Sequence, residues 1–174
     1  MLKSDRLLLL SCNLEHLEWL ETNPSKLEQY LGISIPNHWT EFPEVIPYSY
    51  NALKLDPSLA GWWIYLFIHA ADKILIGFGG FKGKPDDSGM VEIGYEIIPA
   101  YRNQGLATET ALKLIDHAFA YPFVKVVQAH TLAVPNASTR VLEKVGMKQV
   151  EAFHDPEDGD LWRWQLNRND DEKE

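Results

Sequence analysis

The segment from Val91 to Ala118 constrains the fold more than any other part of the chain. Glu92-Ile93-Gly94-Tyr95-Glu96-Ile97-Ile98 reads as a strand and Pro99 to Gly105 as a tight basic loop. Ala107, Ala111, Leu114, Ile115 and Ala118 then recur at the three- and four-residue spacing of one helical stripe. Such a stripe must pack on a sheet. The first turn of a helix exposes unpaired backbone N–H groups and about half a positive charge, so a loop that gathers them around one point holds an anion such as a phosphate. Gly105 and the small Ala107 let that anion approach the backbone, and Arg102 adds a formal charge beside it.

Leu7 to Leu10 reads as a first strand, and Asn13 as the N-cap of a helix carrying Leu14, Leu17 and Leu20. Asn23-Pro24 starts a second helix that stops at Gly32. Between residues 33 and 60, Pro36, Pro43, Pro47 and Pro57 interrupt an aromatic stretch, which predicts loops with one helix over Ser49 to Leu55. Trp62 to His69, Ile74 to Phe81 and Val91 to Ile98 then form a meander of three strands. Val124 to Val134 follows as a strand, Asn136 to Val145 as a helix ended by Gly146, and Met147 to Phe153 and Leu161 to Leu166 as the last strands. This mixed order predicts an α/β protein (α+β in some schemes) with helices on both faces of a mixed, twisted sheet of six to seven strands. One domain over residues 1–169 is expected, with 170–174 as a frayed acidic tail.

Sixteen Lys and Arg against twenty-five Asp and Glu leave a net charge of -9, which argues against a nucleic-acid partner and favours a cationic one. The most apolar run, Trp62 to Ala71, is interrupted by His69 and falls short of the ~20 residues of a membrane helix, so no membrane partner is expected. Cys12 is the single cysteine and forms no intrachain disulfide. The first residues lack the basic-then-apolar layout of a secretory signal, so the expected location is cytoplasmic. The histidines show no paired metal-ligand spacing, and no metal is expected. Gly77-Phe78-Gly79-Gly80 has Lys82 where a dinucleotide fingerprint has its third glycine, so it reads as a glycine-rich strand edge.

Arg102-Asn103-Gln104-Gly105-Leu106-Ala107 resembles the Gln/Arg-x-x-Gly-x-Gly/Ala loop of the GNAT N-acetyltransferase superfamily. Two further features carry the resemblance. Pro99 follows Ile97-Ile98 where the family's strand splays from its neighbour at a bulge, and the segment from Asn136 through Ser138 and Leu142-Glu143-Lys144-Val145-Gly146-Met147 is similar to the Asn-x-x-Ser...Leu-Glu-Lys-x-Gly-Phe segment of the RimJ/RimL-type ribosomal-protein branch. Likeness is close over Trp62 to Gln149 and loose over the first sixty residues. The resemblance implies a sheet splayed at its centre, with acetyl-coenzyme A entering near Ile98. Its pyrophosphate would lie on Arg102, Asn103, Gln104, Gly105, Leu106, Ala107 and Thr108. The pantetheine arm would pair with Ile97 and Ile98 like an added strand, and Asn136 would add a contact. A backbone N–H near Ile98 would polarise the thioester oxygen. The acetyl group would pass directly, in a ternary complex, to a primary amine of a small molecule or a protein N-terminus. A non-catalytic acyl-coenzyme A sensor is the alternative, and a homodimer is compatible with either.

Glu92, Gly94 and Glu96 share one face of the strand. An amine of pKa ~10.4 is neutral about once in 10³ molecules at pH 7, so a lysine-like acceptor needs a base. Glu92 matches the position of a base in some relatives, acting directly or through water, and Glu96 lies closer to the splay, where it would hold the ammonium group. Either carboxylate is equally explained by an ion pair with a nearby Lys or Arg. By the same resemblance Ser138 is the candidate to protonate the departing thiolate, because Leu142 stands where the superfamily often has a tyrosine acid. Asn136 is also accounted for as a helix N-cap. Trp39, Phe42, Tyr48, Trp62 and Trp63 are core residues or line an acceptor pocket.

Overall fold

The computed structural model describes residues 1–168; the tail expected at 170–174 lies outside them. Among these residues eight strands form one sheet: β1 (Leu2–Lys3), β2 (Leu7–Ser11), β3 (Ile64–His69), β4 (Ile74–Phe81), β5 (Met90–Ile97), β6 (Val126–Leu132), β7 (Lys148–Asp155) and β8 (Gly159–Asn167). Their order is β1-β2-β3-β4-β5-β6-β8-β7, and β5–β6 is the parallel pair. The strand beyond the expected seven is β1, whose two residues pair with Leu8 and Leu9 and are too few to show a period.

The helices are α1 (Leu14–Thr22), α2 (Pro24–Leu31), α3 (Val45–Leu55), α4 (Leu106–Phe119) and α5 (Ala137–Lys144). Asn13 caps α1 by accepting the His16 N–H at 2.8 Å. α3 starts at Val45, earlier than the expected Ser49. Pro47 does not prevent this, because it falls in the first turn, where a helix needs no N–H from it.

β3 is buried along most of its length and feeds two layers. Ile64, Leu66 and Ile68 pack with Leu17, Leu20, Leu27, Ile46 and Leu53 of α1 to α3. Tyr65 and Phe67 pack on the other face with Ile76, Ile93 and the α4 stripe of Leu106, Ala111, Leu114, Ile115 and Ala118. Cys12 is buried, and burial pushes its thiol up to about 12, as for a small apolar core residue. No helix among the described residues is long and apolar enough to cross a membrane.

Gly77 to Gly80 lie within β4, paired on both sides, and not at the expected strand edge. Close backbone approach explains the glycines: a Cβ at Gly79 would fall 2.2 Å from the Gly94 carbonyl oxygen, and one at Gly80 would fall 2.1 Å from that of Trp63. The sheet opens one strand further on. β5 and β6 pair over Met90–Val126, Val91–Val127 and Glu92–Gln128, after which β5 continues with β4 and β6 with β8. The opening therefore starts at Glu92, before Ile98, and it forms without the expected bulge, since β5 keeps register with β4 through Ile97.

Two histidines are built into apolar surroundings. His16 faces Trp19 and Tyr30, and His117 faces Trp62, Phe81 and Tyr121. Burial lowers the pKa of both from about 6.5. The unfolded chain therefore takes up these protons first, and folding stability falls as pH drops below about 6.5. Urea unfolding should give a stability that is flat from pH 8 to 7 and declines between about pH 6.5 and 5. His117→Phe, which keeps a ring in the cluster, should flatten part of that decline.

Candidate functional site

α4 begins where β5 stops. Ile98 ends the ladder by donating its N–H to Ile76 O at 2.8 Å, and Pro99–Tyr101 make one 3-10 turn. Asn103 (φ 59) and Gly105 (φ 78) then take left-handed conformations that turn the chain into the helix. Among the described residues, none of the backbone N–H groups from Asn103 to Thr108 donates a hydrogen bond. Asn103, Gly105, Leu106, Ala107 and Thr108 line a cavity of about 390 Å³ together with Ile97, Tyr101 and Arg102. Its opposite wall is one face of α5, formed by Ala137, Arg140, Val141 and Lys144. Arg140 and Lys144 were not singled out from the sequence, although their spacing of four places them on one helical face.

Arg102 donates from Nε to Ile97 O at 2.7 Å and from Nη2 to Glu41 at 3.2 Å, so it ties the end of β5 to the 40–42 loop while also bordering the cavity. Gln104 does not line the cavity; its side chain donates to Ala100 O. Its carbonyl accepts from Arg6 Nη1 at 2.9 Å. Arg6 also donates from its N–H and Nε to Glu109 in the first turn of α4, both at 2.8 Å, and Ser4 donates to the same carboxylate at 2.7 Å. Burial alone would raise the Glu109 pKa, but these bonds outweigh it and hold the group below the ordinary carboxylate range. This brace joins residues 103 positions apart, and no local pattern in the sequence announces it.

Asn136 caps α5: its Oδ1 accepts the Thr139 N–H at 2.9 Å, and the Thr139 hydroxyl oxygen accepts the Asn136 N–H at 2.9 Å. Asn136 does not line the cavity. Ser138 is exposed and lines neither this cavity nor the two described below. Leu142 packs in the core.

Glu92 stands at the point where the sheet opens. Its Oε1 lies 2.6 Å from Lys82 Nζ and 2.9 Å from His130 Nδ1, and Gln128 Nε2 lies 3.3 Å from Oε2. Arg163 Nε donates to His130 Nε2 at 3.1 Å. Arginine stays protonated, so His130 must carry its proton on Nδ1 and donate it to Glu92. Burial would raise the Glu92 pKa, but the bonds from Lys82 and His130 outweigh it and the net direction is down. Glu92 is therefore both ion-paired and ionised at neutral pH. A polar cavity of about 570 Å³ beside it is lined by Lys82, His130, Asp155, Asp158 and Arg163.

Lys82 also borders a third cavity, of about 450 Å³, between α3 and the β4–β5 hairpin. Phe42, Val45, Tyr48, Ser49, Trp63 and Phe78 line it, and Gly79, Gly80, Gly94 and Glu96 complete it. Of the five aromatic residues noted in the sequence, Phe42, Tyr48 and Trp63 line this cavity, Trp39 packs on Phe78, and Trp62 is buried against Phe81. Glu96 accepts from the Thr40 hydroxyl and the Glu41 N–H, each at 2.9 Å.

The ladder also shows which backbone groups border the opening. Lys82 donates to Glu92 O and Ile98 donates to Ile76 O, so the backbone groups of Glu92, Gly94, Glu96 and Ile98 point to β4. Those of Tyr95 and Ile97 point the other way, where β6 has already diverged. The Ile98 N–H expected to face the opening is thus engaged, and the outward amides belong to Tyr95 and Ile97.

A family model described as an acetyltransferase (GNAT) domain matches residues 6–148. The chain is similar to an uncharacterized N-acetyltransferase, YjdG, of Bacillus subtilis (strain 168), with 28% identity over 148 residues, 84% of this chain and 88% of that one. The structure is similar to that of a GNAT-family acetyltransferase from Bacillus anthracis, with TM-score 0.66 and 22% identity over 97% of this chain and 98% of the other. It is also similar to RimL, a ribosomal alpha-N-protein acetyltransferase, in complex with coenzyme A, with TM-score 0.68 and 16% identity over 94% and 95% of the two chains. At such identities the two solved structures speak for the fold, whereas the family model spans most of the sequence. The chain belongs to the GNAT acetyltransferase family.

Proposed function

We propose that the protein transfers acetyl from acetyl-coenzyme A to a primary amine by direct attack in a ternary complex, and that it falls in the RimJ/RimL-like branch. The observation that carries this is the meeting, near Ile97, of two backbone surfaces without strand or helix partners: the free amides of the α4 start and the edge of β5 beyond Glu92, where Arg102 holds the Ile97 carbonyl. Acetyl-coenzyme A, as co-substrate, supplies the thioester carbon. The amides of Gly105 to Thr108 suit its pyrophosphate, and Arg140 and Lys144 supply cations across the cavity. The backbone groups of Tyr95 and the Ile97 N–H offer the pantetheine arm a strand edge, and one N–H of that edge would polarise the thioester oxygen.

In the transfer the amine nitrogen bonds to the carbonyl carbon, the C–S bond breaks, and the thiolate takes up a proton. Glu92 accepts the proton that the ammonium must lose, directly or through water, and the Arg163–His130 chain keeps its carboxylate in place. A carboxylate held low is a weak base, so relay onward to solvent completes the step. Cys12, buried and pushed up to about 12, does not act as a covalent nucleophile.

Calorimetric titration with acetyl-coenzyme A tests the cofactor site. Gly105→Glu should abolish binding, while Arg140→Ala, Lys144→Ala and Arg6→Ala should each weaken it about tenfold, equivalent to about 1.4 kcal/mol. Equal affinity in Gly105→Glu would overturn the placement. In steady-state assays with a lysine-like amine, Glu92→Gln should lower kcat/KM by roughly 100-fold at unchanged cofactor affinity. The loss should shrink for an α-amino acceptor, which is neutral far more often at pH 7. Ser138→Ala should lower kcat if its hydroxyl protonates the thiolate; an unchanged kcat would assign that proton to solvent.

A further inference from the structure

The cavity between α3 and the β4–β5 hairpin adjoins the transfer site, because Gly94, Tyr95 and Glu96 line it from the same strand whose other edge borders the opening. Its floor includes the backbone of Gly80 and Gly94, and a Cβ at Gly94 would meet nothing nearer than the Lys82 side chain at 3.9 Å. Its walls are Phe42, Val45, Tyr48 and Trp63, with the Tyr48 and Trp63 rings 6.0 Å apart and tilted by 35°. A volume of about 450 Å³ accommodates a ring-sized body.

Charge is distributed just as selectively. The charged side chains lining the cavity are Lys82 and Glu96. Lys82 pairs with Glu92, and Glu96 sits at the β5 end, where one ammonium can meet it. A second ammonium further in would face the rings and the Lys82–Glu92 pair, with no free carboxylate to receive it. Lys82 already occupies Glu92, so a second ammonium would give up part of its hydration against the rings without gaining an ion pair. The net charge of -9, which from composition favours a cationic partner, is not expressed inside this cavity.

We infer that the acceptor is a monoamine carried on an apolar, ring-bearing body, and that polyamines and aminoglycosides are poor acceptors. This rests on the transferase function proposed above. The rings of Phe42, Tyr48 and Trp63 hold the body, and Glu96 draws the ammonium toward β5.

The test has a binding arm and a transfer arm. In the first, phenethylamine and spermidine are titrated calorimetrically into the protein without cofactor. Phenethylamine should bind at least tenfold more tightly, and Tyr48→Ala should remove that preference. In the second, thiol release from acetyl-coenzyme A is followed with phenethylamine, a short peptide beginning with Phe, spermidine and kanamycin. The two apolar amines should exceed the polyamine and the aminoglycoside at least tenfold in kcat/KM, and their order tells a free amine from a peptide N-terminus. Phe42→Asp should reverse the ranking toward spermidine with acetyl-coenzyme A affinity unchanged. Phe42 and Tyr48 are 51% and 65% exposed, so both variants should keep the parent melting profile. Preference for spermidine or kanamycin in either arm, or indifference to both substitutions, overturns the inference. Selective binding of phenethylamine without thiol release would instead overturn the transferase proposal and leave the cavity assignment standing.

Discussion

Three residue pairs of parallel ladder join the two halves of this sheet, and they cannot continue because each strand is already bound to an antiparallel partner on its far side. β5 follows β4 and β6 follows β8, so twist separates them beyond Glu92 and Gln128. The separation leaves β5 with a row of backbone groups facing no strand. Such a row pairs with water or with an added extended segment, and the proposed function assigns that place to the pantetheine arm. The same break brings α4 to the end of β5, so the unbonded amides of the α4 start and the open edge of β5 share one corner of the molecule.

Around that corner, carboxylates are held by local donors. Glu109 is occupied by Ser4 and Arg6, and Glu92 by Lys82, His130 and Gln128. Arg140 and Lys144 border the cavity at the α4 N-terminus. An acidic chain thereby carries a locally cationic cavity, because interactions over a few ångströms outweigh a net charge screened within about 8 Å. Arg6 has a second effect: by holding the Gln104 carbonyl it fixes the loop conformation in which the following amides line the cavity.

The cavity beneath α3 is built on different terms. Close approach between β3, β4 and β5 requires glycine at residues 79 and 80, and the cavity over Gly80 and Gly94 is walled by aromatic rings from α3 and its preceding loop. Glu96 anchors that loop through Thr40 and Glu41. One carboxylate therefore shapes the cavity wall and supplies a negative charge to it.

Much was legible in the sequence alone. The strand-loop-helix unit ending in Gly105 and Ala107, the meander before it and the helix capped by Asn136 are local patterns, set by periodicity, turn residues and capping. They are enough to point to a loop that lines a cavity at the α4 start and to the family. The start of α3 at Val45 is not legible, because proline reads as a breaker wherever it occurs, although Pro47 in the first turn is harmless. Only the tertiary structure decided which backbone amides face the opening, that Glu92 is held by Lys82 and His130, that Arg6 braces the loop, and which aromatic residues line a cavity instead of the core. Each of these depends on strand register or on contacts across many tens of residues, and such pairings leave no trace in the spacing of neighbouring side chains.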